Sequence, residues 1–421
     1  MKASLRLNNF ILSSVILLTL GFSQSQAQVQ LPPLWKNTLV ITPAQLLPIT
    51  KEVAGDPLLG LHDNGVTAPA YDIVKQAKKS LDIEIYELKD VTFRQLLVDA
   101  AKRKVKVRVI KDPSTIADGC DEEQKPVAKD KPACLEEKAF VAAFTSAGGT
   151  YTFFNKDILC GVVGKSCYMH GKLIIADKKR ALVSSGNFST MSLCGGLAQM
   201  KKKPGACNRD YTYVTSNKVA IEKLQSVFDG DLAEKARDVK KEVLGKDNKI
   251  TISVSPTAAH TLITLIKSAK KQILISTQYL NEPTINAELM LAAERNVEVR
   301  TLVADVCYYG PSELKTPASK TLIRDKFDAM EKAGVQSLFF TKALKVAGKT
   351  GYNHSKAIVI DQKLGWIGSI NYSEDSLFKN REFGIMFTIP AEVKKLTKSI
   401  EGDMAQEGAA SWEQEKVRCA I

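Results

Sequence analysis

Residues 170–187 read HGKLIIADKKRALVSSGN, and residues 354–371 read HSKAIVIDQKLGWIGSIN. In both copies Lys stands two places after His, Asp seven places after it and Asn seventeen. His170, Lys172 and Ile174 alternate as they would on a strand, so imidazole and ammonium project from one face. The apolar pairs Leu173/Ile175 and Ala357/Val359 fill the other face. Asp177 and Asp361 stand where the chain must turn back, and the returning strand carries Ser185 and Asn187, or Ser369 and Asn371. Each copy therefore gathers an imidazole, an ammonium, a hydroxyl and an amide. Two such clusters facing one another would enclose a tetrahedral anion between two His.

The repeat extends upstream. Residues 100–108, AAKRKVKVR, match 292–300, AAERNVEVR, and each follows an alternating apolar run, SLDIEIYEL at 80–88 or QILISTQYL at 272–280. Helical spacing over 71–79 and 261–270 precedes these runs. Further helices are expected at 93–102 and 288–295, leading into strands at 105–111 and 297–303. Strands alternating with helices predict an α/β fold built as two pseudo-symmetric halves around one shared active site. The polar stretch 245–249 marks the junction, giving halves of 28–245 and 250–421.

With both motifs in view, the chain resembles the phospholipase D superfamily, whose members carry a duplicated His-x-Lys-x4-Asp motif followed by Gly-Ser-x-Asn. The resemblance runs from about Tyr71 to Phe387. It implies α/β sandwich halves, a covalent phosphohistidine, and His170 as nucleophile with His354 as acid and base. Lys172, Lys356, Asn187 and Asn371 would hold the phosphoryl oxygens and the charge that builds on them. Asp177 and Asp361 complete the motif, with turn-closing structural partners the more natural role for them. The superfamily also places an acid downstream to orient the catalytic His of its own cluster. Glu382, in Asn380-Arg381-Glu382, and Asp210, in Asn208-Arg209-Asp210, fill that place. Asp210 lies farther from its motif, which implies an inserted loop over 192–204. One departure stands out: Ser184 occupies the position of Gly368. No cofactor and no metal are implied, because the two Lys supply the charge a metal would.

Composition bounds the rest. The chain has 421 residues, 44% hydrophobic and 25% charged, which excludes a disordered or fibrous protein. Its net charge of +13 favours polyanionic partners. Phospholipid at a membrane surface is the first substrate class, hydrolysed at the headgroup phosphodiester. Nucleic acid cleaved by a metal-independent endonuclease is the alternative, and a non-catalytic anion-binding scaffold a third; phospholipid synthesis by phosphatidyl transfer is expected less, because the membrane anchors of such enzymes are not seen in the sequence. The protein is expected to be monomeric. Residues 1–27 combine a basic start, a short apolar run and a small-residue cleavage site. They read as a signal peptide and predict a secreted or periplasmic protein. The eight Cys then read as disulfides, paired by proximity as 120–134, 160–167, 194–207 and 307–419. The two remaining His, His62 and His260, are expected to be structural. Tyr86 and Tyr279 occupy similar places in the two units.

Overall fold

A computed structural model describes residues 56–113, 131–160, 167–235, 252–255, 258–308 and 316–421. Two sheets share one strand order. The first runs Gly60–Asp63, Tyr211–Thr215, Arg180–Ser184, Lys172–Ala176, Ser80–Ile85, Lys106–Lys111, Thr150–Phe153. The second runs Ile252–Val254, Phe383–Phe387, Leu364–Gly368, Lys356–Ile360, Gln272–Thr277, Glu298–Ala304, Val335–Phe340, and adds Ala409–Ser411 at its edge. The parallel pairs of the first sheet have parallel counterparts in the second, and the antiparallel pairs correspond likewise. The expected pair of α/β halves is therefore present. The junction at 245–249 and the leader at 1–27 lie outside the described residues.

Both faces of each sheet are covered, which is why its strands are apolar runs. Leu173, Ile175, Ala357 and Val359 join one core that unites the halves, and Tyr213 stacks on Phe387 across it at 4.6 Å. Ile174 faces the opposite way, against the helices Ala70–Gln76 and Val91–Lys102. A small seam adds backbone bonds between the halves: strand Ala206–Arg209 runs parallel to Lys349–Asn353.

Element boundaries shift where capping chemistry decides them. The helix expected at 288–295 starts earlier, as Pro283–Glu294, because Pro283 opens it and the Glu282 carboxylate caps Ile285 N–H. His62 lies on strand Gly60–Asp63 rather than in a loop, its ring bonded to Thr67 Oγ1 and the Leu58 carbonyl. The exchange of Gly368 for Ser184 has a steric cause. A Cβ at Gly368 would lie 2.4 Å from the Phe383 carbonyl oxygen, whereas Ser184 pairs with Thr212 and bonds its hydroxyl at 2.8 Å.

Three of the four expected disulfides bear on described residues in full. Cys160–Cys167 and Cys307–Cys419 are formed. The pairing of Cys194 with Cys207 is corrected: both are free, buried thiols, and Cys194 is also engaged with Asn64. Cys134 is disulfide-bonded, and its expected partner Cys120 lies outside the described residues.

Asp177 and Asp361 sit in matching turns at positive φ, 54° and 52°. Asp177 accepts the N–H groups of Lys78, Lys79 and Ser80, and Asp361 those of Lys270, Lys271 and Gln272. They lie at the end of the strand away from His, about 20 Å along the chain. Their place among the catalytic residues is corrected: each pins the helix-to-strand connection of its own half. Replacing either by Ala should lower stability by about 1–3 kcal/mol through the orphaned N–H groups. Turnover per folded molecule should not change, as denaturant titration beside activity will show. Lost turnover at unchanged stability would return them to the site.

Candidate active site

The two motifs meet through an exchange between the halves. His170 N–H donates to the Arg381 carbonyl at 2.9 Å, and His354 N–H donates to the Arg209 carbonyl at 3.1 Å. Each Asn-Arg-acid segment thus runs beside the other half's motif. The next side chain in each segment then reaches the imidazole: His170 Nδ1 lies 3.0 Å from Glu382 Oε2, and His354 Nδ1 lies 2.9 Å from Asp210 Oδ1. The expectation that each acid serves its own cluster is corrected. Main-chain pairing across the interface carries it to the opposite one.

A carboxylate on Nδ1 holds the proton there and leaves the Nε2 lone pair free, the tautomer a nucleophile or a general base needs. Asp210 is braced by the Ser185 hydroxyl at 2.8 Å. Glu382 is braced by Ser376 and Asn380 at 2.5 and 3.0 Å. Ser369 instead takes the Phe383 N–H at 3.0 Å and so fixes the strand that follows Glu382.

Lys172 and Lys356 are wholly buried. Each donates to the carbonyl of its own motif's His, and Lys356 also reaches Gln278. Burial pushes Lys172 down to about 8 and Lys356 down to about 7, with Glu382 and Asp210 opposing the shift in both. That each ammonium feels both carboxylates places the two clusters in one site. Burial, reinforced by Lys356, takes His354 down to about 4, and burial also lowers His170. Glu382 is held below the usual carboxylate range: burial opposes this, but the His170 and Lys172 charges prevail. A cluster of cations with depressed pKa values gains protons when an anion enters.

Asn187 and Asn371 close the hairpins in matching places and are buried. Asn187 donates an amide hydrogen to Glu87 at 2.9 Å. Glu87, Gln278, Ser376 and Asn380 are site residues that motif reading missed. Gln278 had a signal, since it follows its strand as Tyr86 follows Ser80–Ile85. Tyr86 lies against the motif: its ring is 4.9 Å from the His170 ring and 5.5 Å from the Lys172 ammonium. Tyr279 contributes a carbonyl to Thr277.

Asp305, Cys307, Glu415 and Cys419 also converge, in the second half. Cys307 is bonded to Cys419, and Arg418 pairs with both carboxylates at 2.5 and 2.6 Å, so that cluster has no free ligand set.

Two sheets of matching strand order, each carrying a His–Lys pair at the same place, define the duplicated fold of the phospholipase D superfamily. The sequence matches the family described as "Cardiolipin synthase, PLD-like domain" at residues 71–232 and again at 262–404, and the chain belongs to that family. Cardiolipin synthase A of Buchnera aphidicola is 35% identical over 127 residues, 30% of this chain and 23% of that protein. Cardiolipin synthase 2 of Bacillus anthracis is 28% identical over 166 residues, 38% of this chain and 28% of that protein. The chain thus aligns with only about a quarter of each relative's length. Phosphatidylserine synthase of Haemophilus influenzae shares the fold, with a TM-score of 0.56 at 14% identity, over 85% of this chain and 88% of that one.

These likenesses overturn the expected secreted or periplasmic location, because the relatives are named for making a phospholipid, not for degrading one outside the cell. Among the described residues no helix is long and apolar enough to cross a membrane.

The buried ammoniums make the site sensitive to alkali. As pH rises through about 7 to 8, Lys356 and then Lys172 lose charge, so kcat/KM should fall. Lys356→Arg keeps its charge throughout and should move that limb to higher pH in a pH–rate profile. An unmoved limb would assign it to another group.

Proposed function

We propose that the protein cleaves phospholipid phosphodiesters and passes the phosphatidyl group to a hydroxyl acceptor through a phosphohistidine on His170. The observation that supports this most directly is the pair of carboxylate-held imidazoles flanking two buried ammoniums. In the first step the entering anion draws a proton from solvent onto His354 Nε2; His170 Nε2 then attacks phosphorus, the bond to the headgroup oxygen breaks, and that oxygen takes the proton from His354 Nε2. Lys172, Lys356 and the two Asn hold the non-bridging oxygens while negative charge builds. In the second step His354 takes the proton of an entering hydroxyl, whose oxygen attacks phosphorus and expels His170.

The acceptor is an alcohol of a second lipid or polyol, in keeping with the synthase relatives, and water is the competing acceptor. The Tyr86 face on the His170 side gives the cleft an apolar wall beside its charges. The mechanism uses only side chains of this chain, so a chelator should leave activity intact.

The test is parallel incubation with phosphatidylglycerol vesicles and with supercoiled plasmid, chelator present. New phospholipid with released glycerol supports the proposal; phosphatidic acid alone makes water the acceptor; nicked plasmid with untouched lipid overturns the lipid substrate. His170→Ala and His354→Ala should each cost roughly 10³-fold or more in rate. Acid-labile label from phosphorus-labelled lipid should collect on His354→Ala and not on His170→Ala.

A further inference from the structure

Two arginines that no motif includes join the halves in the same way. Arg209, of the first half, forks onto Asp403 of the second: Nε donates at 2.6 Å and Nη2 at 2.7 Å. Arg381, of the second half, forks onto Asp231 of the first at 2.6 and 2.8 Å. Asp403 and Asp231 are each the residue before the last of a long helix, Pro390–Met404 and Lys218–Leu232. The four side chains are almost wholly buried, Arg209 being the most exposed at 8%. Arg209 also pairs with Asp63, and Arg381 reaches the Ser255 carbonyl at 3.4 Å.

Each arginine also stands one residue before a catalytic carboxylate, and its own carbonyl takes the backbone N–H of the opposite His. Side-chain fork, carbonyl and following carboxylate are three consecutive points on one short segment, all bonded to the other half. A guanidinium bound bidentately admits little rotation, so the fork fixes the height and twist of that segment. A carboxylate positions an imidazole only within a few tenths of an ångström, and loss of such supporting partners typically costs 10- to 100-fold.

We propose that Arg209 and Arg381 are positioning residues of the reaction: Arg209 with Asp403 sets Asp210 against His354, and Arg381 with Asp231 sets Glu382 against His170. The assignment of steps rests on the function proposed above; the positioning itself does not. A clasp that merely held the halves together would affect both imidazoles alike. Positioning predicts that each arginine governs one.

The test uses the full chain with Arg209→Lys and Arg381→Lys, which keep the charge and lose the fork, and Asp403→Asn as the partner variant. Imidazole titrations followed by NMR give a readout free of turnover. Arg209→Lys and Asp403→Asn should lower the His354 pKa, since a displaced Asp210 no longer stabilises the imidazolium, and leave His170 in place. Arg381→Lys should do the reverse. Kinetics give the second readout, with a nitrophenyl phosphodiester, whose leaving group needs no proton, beside a natural lipid. Arg209→Lys should keep the nitrophenol burst while losing about 10- to 100-fold on the lipid. Arg381→Lys should lose on both. Thermal melting is recorded for every variant.

Both imidazoles shifting together, or neither shifting while activity falls with melting temperature, would reduce the arginines to a structural clasp and overturn the proposal. Titrations that move as stated in a wild type inert toward both esters would uphold positioning and overturn the phosphodiesterase reading instead.

Discussion

The structure turns on an exchange: each catalytic imidazole is completed by a carboxylate from the other half. Two ammoniums and two carboxylates lie buried at the same centre, and the arrangement holds because their charges balance. Removing one partner of such a buried pair typically costs about 3–5 kcal/mol, since the other is left uncompensated. The inter-half core supplies the burial that makes those charges expensive to leave unpaired. The same burial depresses the His and Lys pKa values, and so makes the centre receptive to a phosphodiester. Packing and chemistry draw on one set of contacts.

Within this symmetric frame the two sides of the cleft differ. Beyond strand Ser80–Ile85 the first half places Tyr86, its ring tilted against that of His170, whereas beyond Gln272–Thr277 the second places Gln278, hydrogen-bonded to Lys356. An aromatic face lies beside one imidazole, while an amide holds the ammonium beside the other. Burial lowers both imidazoles; at His170 the next influence is Glu382, which opposes the shift, and at His354 it is Lys356, which adds to it. Equivalent residues thus sit among unequal neighbours, the kind of difference that lets one imidazole act as nucleophile and the other as acid.

Much of this was legible in the sequence, and the limit follows sequence distance. The hairpin carrying His, Lys, Asp and Asn is local, so spacing alone places those residues relative to one another. The apolar runs declared both sheets because each is covered on both faces. The partner of each His was not legible, because Glu382 and His170 are 212 residues apart and nothing local sets which acid crosses to which ring. The Asn-Arg-acid triplet was visible twice, yet the role of its arginine depends on Asp403 and Asp231, 194 and 150 residues away. The structural role of the Asp turns was legible from their place in the hairpin, but not their partners, since three converging backbone N–H groups leave no trace in side-chain identity. Sequence proximity did bring Cys194 and Cys207 into contact, but it cannot say whether two thiols are bonded, and these remain a hydrogen-bonded pair of free thiols.

The crossed pairing has a consequence for what one repeat could do alone. A chain with a single repeat would carry one imidazole and one carboxylate that point to different partners. Two such chains about a twofold axis would satisfy both bonds at once. In its geometry this protein is a dimer whose second copy is covalently attached. The tether makes the meeting of the repeats intramolecular, at an effective concentration independent of how much protein the cell holds. It also frees the two sides to differ, which identical subunits around one axis could not do.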